Sequence, residues 1–348
     1  MIRRQPIYVL LLALPLAAVG EWFHWNHVTL FLLSILGIIP LAKLLGDATE
    51  ALAAHTGPRI SGLLNATLGN AAELIITIMA LRAGLVELVK ASITGSIIGN
   101  VLFVMGGAIL LGGLRHGIQH FDRTRSGLAA TQLALGVIAL AIPTLFAHAI
   151  EPNHHGVEML SLSVAVVMMV IYVLGLVFSL SAPQPHPPAE HAHHGGWSVR
   201  TALLLLALST VGIVWMSEIL VKSVEYTVSA LGVSEFFIGI IVVPIVGNAA
   251  EHLVAVTVAL KDQMDLSLEI TLGSSTQIAL FVAPLLVLLS VFIAPEPLTL
   301  VFHPFELAAL AAATVVAALI AQDGKSNWME GAQLLGVFLI IALAFYFV

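Results

Sequence analysis

Apolar runs of about twenty residues follow one another along almost the whole 348-residue chain, with only short polar punctuation between them. That length is what an α-helix needs to cross the hydrocarbon core of a bilayer. Composition agrees, with 59% hydrophobic and 9% charged residues, where a soluble domain carries about 25% charged. Period-two alternation of polarity, the mark of an outer-membrane barrel, is missing. The chain has no cysteine, so no disulfide can form and the redox compartment stays open. The expected fold is therefore all-α, a polytopic membrane protein surrounded by lipid.

Polar residues delimit about eleven candidate spans, near 6–23, 28–50, 58–82, 86–113, 127–149, 157–180, 199–221, 234–260, 265–293, 304–321 and 328–347. The N-terminus has two arginines and then an apolar run, as a signal peptide does, but no small-residue cleavage site precedes Glu21. It reads as a retained first helix. With the N-terminus inside, the inner ends collect Arg3, Arg4, Lys43, Arg59, Arg115, Arg123, Arg125, Arg200, Lys261 and Lys325. The outer side then keeps Arg82, Lys90 and Lys222. Ten against three favours N-in and C-out. The expected location is the inner membrane of a bacterium or archaeon.

The stretch "GNAAELI" (69–75) recurs as "GNAAEHL" (247–253), 178 positions later. The same offset places Gly95-Ser96 on Gly273-Ser274, and Asp47 on Glu225. Matches in three successive helices at one offset indicate an internal repeat. The division is a first helix (1–26), repeat 1 (27–180), a linker (181–198) and repeat 2 (199–348). Each repeat holds five spans, and five is odd, so the second enters the membrane from the opposite side. That is the inverted arrangement found in many secondary transporters, with the substrate site near the midplane. The linker "SAPQPHPPAEHAHHGGW" reads as an extended spacer, and its four histidines leave transition-metal binding open.

In each motif the Asn precedes the Glu by three positions, so the two side chains share a helix face. Paired carboxylates at mid-membrane are costly to leave ionised and empty. They are comfortable when protonated or when neutralised by a divalent cation. Competition of protons and a divalent ion for the same oxygens is antiporter chemistry. Oxygen ligands suit a hard cation such as Ca²⁺. The candidates are Glu73 and Glu251, the amides Asn70 and Asn248, and Ser96, Asn100, Ser274 and Gln277 on the following helices. Gly69, Gly247 and Pro244 can loosen the helices and free carbonyls as further ligands. Packing between helices is the competing reading for the asparagines and serines. His252, opposite Leu74 at the repeat offset, either packs on another face or touches a proton path. Asp47, Glu50, Glu218 and Glu225 are either cation funnels or solvated interfacial charges. Asp262 and Asp265 read as loop charges, and Trp22, Trp25 and Trp328 as interfacial anchors.

The two motifs, with "LAKLLGDATEAL" (41–52) and "LGSSTQIALFVAPLLVL" (272–288), resemble the calcium/proton exchangers, the CAX branch of the calcium/cation antiporter superfamily. The resemblance spans essentially the whole chain. It implies an eleven-helix antiporter exchanging Ca²⁺ for H⁺ by alternating access, with Glu73 and Glu251 as the carboxylates both ions use. It also implies that Asn70, Asn248, Ser96, Asn100, Ser274 and Gln277 surround the cation, and that the first helix gates. Relatives often have an acidic inter-repeat loop, and the Pro/His-rich linker here departs from that pattern. The alternatives are exchange driven by Na⁺ or K⁺, transport of Mn²⁺ or another divalent ion, an intramembrane enzyme, or a passive channel. An enzyme is disfavoured because no nucleophile or zinc-type His-Glu motif accompanies the glutamates. No phosphate-cradling glycine loop is present, in keeping with a secondary transporter. No cofactor is expected. The partners are Ca²⁺, protons and lipid, not nucleic acid, and a homo-oligomer is compatible with the sequence.

Overall fold

The computed structural model describes residues 6–56, 58–150, 154–181 and 197–347. Nearly all of them are helical. The helices are α1 (Pro6–Trp22), α2 (His27–Ala54), α3 (Pro58–Leu68), α4 (Ala71–Arg82), α5 (Val86–His116), α6 (Arg123–Ile150), α7 (His154–Ser181), α8 (Val199–Leu231), α9 (Glu235–Gly247), α10 (Ala249–Ala259), α11 (Met264–Ile293), α12 (Pro304–Asp323) and α13 (Trp328–Tyr346). Two short strands, β1 (Gln119–His120) and β2 (Lys325–Ser326), pair antiparallel.

Every expected span has a helical counterpart, but the count of eleven is not reproduced by length and apolarity. Among the described residues, α2, α5, α6, α7, α8, α11, α12 and α13 are long and apolar enough to cross a membrane, and the pair α9–α10, bent by 63°, makes a ninth. The expected span 58–82 is two helices of 11 and 12 residues. At 1.5 Å per residue each reaches under about 20 Å, short of the ~30 Å core. The Pro/His-rich linker lies outside the described residues, except for its ends at Ser181, Trp197 and Ser198. Arg3 and Arg4 also lie outside them.

The chain forms two compact units. One comprises residues up to Met79 together with Ile171–Gly232. Its centre is the seam of α2 and α8, where Gly37 meets Met216 and Gly212 meets Leu41, so the helices run antiparallel. The ends of both helices are capped by their own sequence. The Asn26 side chain accepts from Val28 N at the start of α2, and Ser198 accepts from Thr201 N at the start of α8. Gly232 closes α8 in the left-handed conformation, φ 66°. At the foot of α2, Tyr8 donates to Asp47 at 2.8 Å, and Lys43 pairs with the other Asp47 oxygen at 2.5 Å.

The second unit comprises Ala80–Val170 and Val233–Val348. Its axis is α5, whose apolar window is 72% buried, whereas that of α7 is 17% buried and leaves its flanks for lipid. Small residues make the close approaches, as in many membrane bundles. Gly106 and Gly331 bring α5 onto α13, and Gly136 brings α6 onto Ala279 of α11. The tightest approach of a glycine to another helix joins α5 and α9, where a Cβ added at Gly95 would lie 2.1 Å from the Ile240 carbonyl oxygen. Three turns in this unit widen to π-helical geometry: Gly99–Val104 in α5, Ile238–Val242 in α9 and Ile278–Val282 in α11.

The α5–α9 contact yields a prediction. Gly95→Ala forces a Cβ onto backbone that cannot rotate away, and should destabilise by about 1–3 kcal/mol. A Cβ at Gly107 of α5 meets nothing within 4 Å, so Gly107→Ala should leave stability unchanged or slightly raised. Thermal unfolding of the two purified variants beside wild type checks both expectations.

Candidate functional site

The repeated motif builds a helix start inside the apolar bundle, and it does so twice. Asn70 sits between α3 and α4, Leu74 N returns to its carbonyl at 2.9 Å, and Glu73 occupies the third position of α4. Asn248 sits between α9 and α10, His252 N returns to its carbonyl at 3.0 Å, and Glu251 occupies the third position of α10. The offset between the breaks is again 178. It also carries the start of α5 at Val86 onto the start of α11 at Met264. An Asn followed three residues later by Glu has the spacing of a capping box. The Asn248 side chain does not cap its helix, however. The amide is thus used for something other than local capping.

The candidate residues are mostly buried. Asn70 and Glu73 are each 3% exposed, Ser96 1%, and Asn100 and Asn248 2%. Ser274 is buried, and Glu251 and Gln277 are partly buried. Within the first unit Asn70 stands at the break and Glu73 three residues on, in the first turn of α4, and the Thr77 hydroxyl donates to the Glu73 backbone carbonyl at 2.8 Å.

Within the second unit four side chains form a connected chain. Asn100 Nδ2 donates to Ser274 Oγ at 3.1 Å, and His252 Nε2 donates to Asn100 Oδ1 at 3.0 Å. Ser274 also hydrogen-bonds the Glu251 carboxyl, whose Oε2 is buried without a partner. Asn100 lies inside the first π-turn of α5, and Gln277 immediately precedes that of α11. A π-turn widens the helix and redirects its side chains, and such turns recur at functional sites. Ser96 lies one helical turn before Asn100, buried on α5.

Sequence reasoning left His252 between two roles, and the structure brings it into contact with a candidate ligand residue. Its partner is 152 positions away, so no local pattern could have revealed the contact. The accessory acids resolve differently from one another. Asp47 is buried and paired, whereas Glu218 is exposed and pairs with Lys222 at 2.8 Å. Asp262 and Asp265 do more than punctuate a loop. Asp262 accepts from Gln119 Nε2 at 2.9 Å, and Asp265 accepts from Asp122 N at 2.6 Å. Lys90, expected among the outer charges, is buried and pairs with Glu87 at 3.2 Å. Glu306 was not anticipated: it is fully buried, and its side chain accepts from His303 N at 2.8 Å, closing the capping box of α12.

Apolar helices interrupted at buried Asn-Ala-Ala-Glu motifs define an integral-membrane transporter of the secondary type. The profile of the sodium/calcium exchanger protein family matches residues 26–181 and 201–347. The chain is 45% identical to a Ca²⁺/H⁺ antiporter of Synechocystis sp., over 97% of this chain and 96% of that protein. It is 41% identical to the Ca²⁺/H⁺ antiporter ChaA of Bacillus subtilis, over 98% and 99% of the two chains. Among solved structures, native YfkE superposes with a TM-score of 0.87 at 38% identity, over 98% of this chain and 100% of that one. The chain belongs to the sodium/calcium exchanger family, in its calcium/proton exchanger branch.

The bond between Asn100 and His252 should couple the two residues energetically. A double-mutant cycle of Asn100→Ala and His252→Ala, read by thermal or denaturant unfolding, should give an interaction of about 0.5–3 kcal/mol. A coupling near zero would show that the contact does not form.

Proposed function

We propose that the protein is an antiporter that exchanges Ca²⁺ for H⁺ by alternating access, with Glu73 and Glu251 as the transport carboxylates. The observation that carries this reading is the duplicated motif, which twice puts a carboxylate at the start of a helix that begins inside an apolar bundle. The relatives named as Ca²⁺/H⁺ antiporters support it across nearly the full chain.

The mechanism follows from electrostatics. An ionised carboxylate among apolar helices binds a divalent cation, and a protonated one releases it. The unloaded, ionised state is expensive to carry through the interior, so movement is confined to loaded states and the two fluxes are coupled without ATP. Asn70, Asn248, Ser96, Asn100, Ser274 and Gln277 supply neutral oxygens, which suits an ion that takes six to eight ligands. The two repeats, 27–180 and 199–348, are read as five spans each, the second of them broken into α3–α4 and α9–α10, and as inserted in opposite senses with the first helix outside them. The excess of Lys and Arg favours the N-terminus inside and the C-terminus outside, and the reading puts the protein in the inner membrane of a bacterium or archaeon. A homo-oligomer is compatible with this reading.

Everted vesicles containing the full-length protein should accumulate Ca²⁺ when their lumen is acidic. Glu73→Gln and Glu251→Gln should each reduce that uptake to the level of protein-free vesicles. Uptake driven by a Na⁺ gradient and indifferent to pH would overturn proton exchange. Proton-independent flux surviving in either variant would indicate a channel.

A further inference from the structure

In the first unit, the end of α1 and the middle of α8 flank an open cleft of about 480 Å³ lined by Ala18, Glu21, Trp22, His24 and Trp215. Nothing in the exchange reading uses it. Two indole rings and a carboxylate share its walls, the combination that attracts an organic cation through the ring faces and an opposite charge. One helical turn beyond Trp215, Glu218 pairs with Lys222 at 2.8 Å, and Glu21 lies within electrostatic reach of the same lysine. Two carboxylates against one ammonium leave the rim with an unbalanced negative charge.

The cleft is also built at some cost. Trp25 N returns to the Gly20 carbonyl at 2.8 Å, which ends α1 in a tight reversal with His24 left-handed, φ 52°. Glycine ordinarily takes such a position. Here a histidine ring is retained at the cleft instead, and strained backbone of this kind tends to persist where a ligand is clamped.

We propose that this cleft seats the headgroup of a phospholipid carrying a primary ammonium, of the phosphatidylethanolamine type. The surroundings favour a lipid over a free ion. Away from the cleft, α1 exposes Leu12, Leu16 and Val19, and α8 exposes Leu204, Leu208 and Val211, each at helical spacing. These stripes offer apolar surface for acyl chains. A hard metal ion would need several oxygens, and the aromatic walls do not supply them. An anionic headgroup would meet the excess carboxylate charge. A primary ammonium can donate to Glu21 while lying against the indoles, whereas a quaternary one has no donor.

Native mass spectrometry of the purified full-length protein, offered equal amounts of phosphatidylethanolamine and phosphatidylglycerol, tests this directly. Wild type should retain the ethanolamine lipid at least about three-fold over the glycerol lipid. Trp215→Ala should lower that retention roughly two- to five-fold, the range for a partly exposed cation–π contact. Phe292→Ala, at an exposed position in the other unit, should not change it. Equal retention of the two lipids by wild type overturns the proposal, and this arm holds even if Trp215→Ala fails to fold. Unchanged retention in a folded Trp215→Ala overturns it too. Competition by free phosphoethanolamine at matched concentration would overturn the lipid as the source.

Discussion

A carboxylate buried among apolar helices is the constraint from which the rest of this structure follows. Taking such a group out of water costs several kcal/mol even after the protein relaxes. The helix breaks at Asn70 and Asn248 offset part of that cost, because each places its glutamate in the first turn of a new helix. The exposed N–H groups there carry partial positive charge, contributing about 0.3–1 kcal/mol and up to ~2 in partly buried settings. That is too little to hold an ionised Glu73 or Glu251 unaided. In the exchange reading proposed above, the remainder comes from a proton or a divalent cation, either of which neutralises a carboxylate.

Breaking helices inside a membrane protein leaves backbone groups to be satisfied, and this is tolerated only where protein surrounds them. The burial of α5 answers that requirement in the second unit. Its π-turn residues Gly99, Asn100, Val101 and Leu102 are all buried. The side-chain-free face at Gly95 lets α9 bring the Ile240 carbonyl against α5, just before the break at Asn248. The irregular backbone of α9 is thus pressed onto the most buried helix of its unit, with Pro244, which lacks an N–H, three residues from the Gly247 end of that helix. Rigidity in α5 and irregularity in α9 are two sides of one contact.

The parts legible in the sequence are those set by local chemistry. Apolar run length locates every helical segment. The Asn-x-x-Glu spacing reads as one helix face, whereas Asn70 and Asn248 stand just before the helices that carry Glu73 and Glu251. Gly69 foreshadows the break within 58–82, but in the sequence it reads as loosening one span, where the structure has two short helices. Nothing in "GNVLFV" or "IALFV" distinguishes a π-turn from ordinary helix, because the widening arises from packing and not from the propensity of those residues. His252, Lys90 and Glu306 were illegible for a related reason. Their partners or their burial are fixed by tertiary approach, and an isolated polar residue in an apolar run is compatible with several faces.

The repeat is closer in sequence than in interactions. At the shared offset Leu74 stands where the second repeat has His252, and only the latter donates to an amide on α5. In the second unit Glu251, Ser274, Asn100 and His252 form a connected polar chain in which Asn100, from the first repeat's own sequence, bridges two residues of the second. In a buried network of this kind a lone donor or acceptor carries the full desolvation penalty, which Glu251 Oε2 already bears and which loss of Asn100 would extend to His252. Asn100 therefore has no freedom to drift toward an apolar residue even though its strict counterpart, Ile278, is apolar. The two motifs each carry a glutamate, but the polar chain described around Glu251 draws on Asn100 and His252, whose counterparts at the shared offset, Ile278 and Leu74, are apolar.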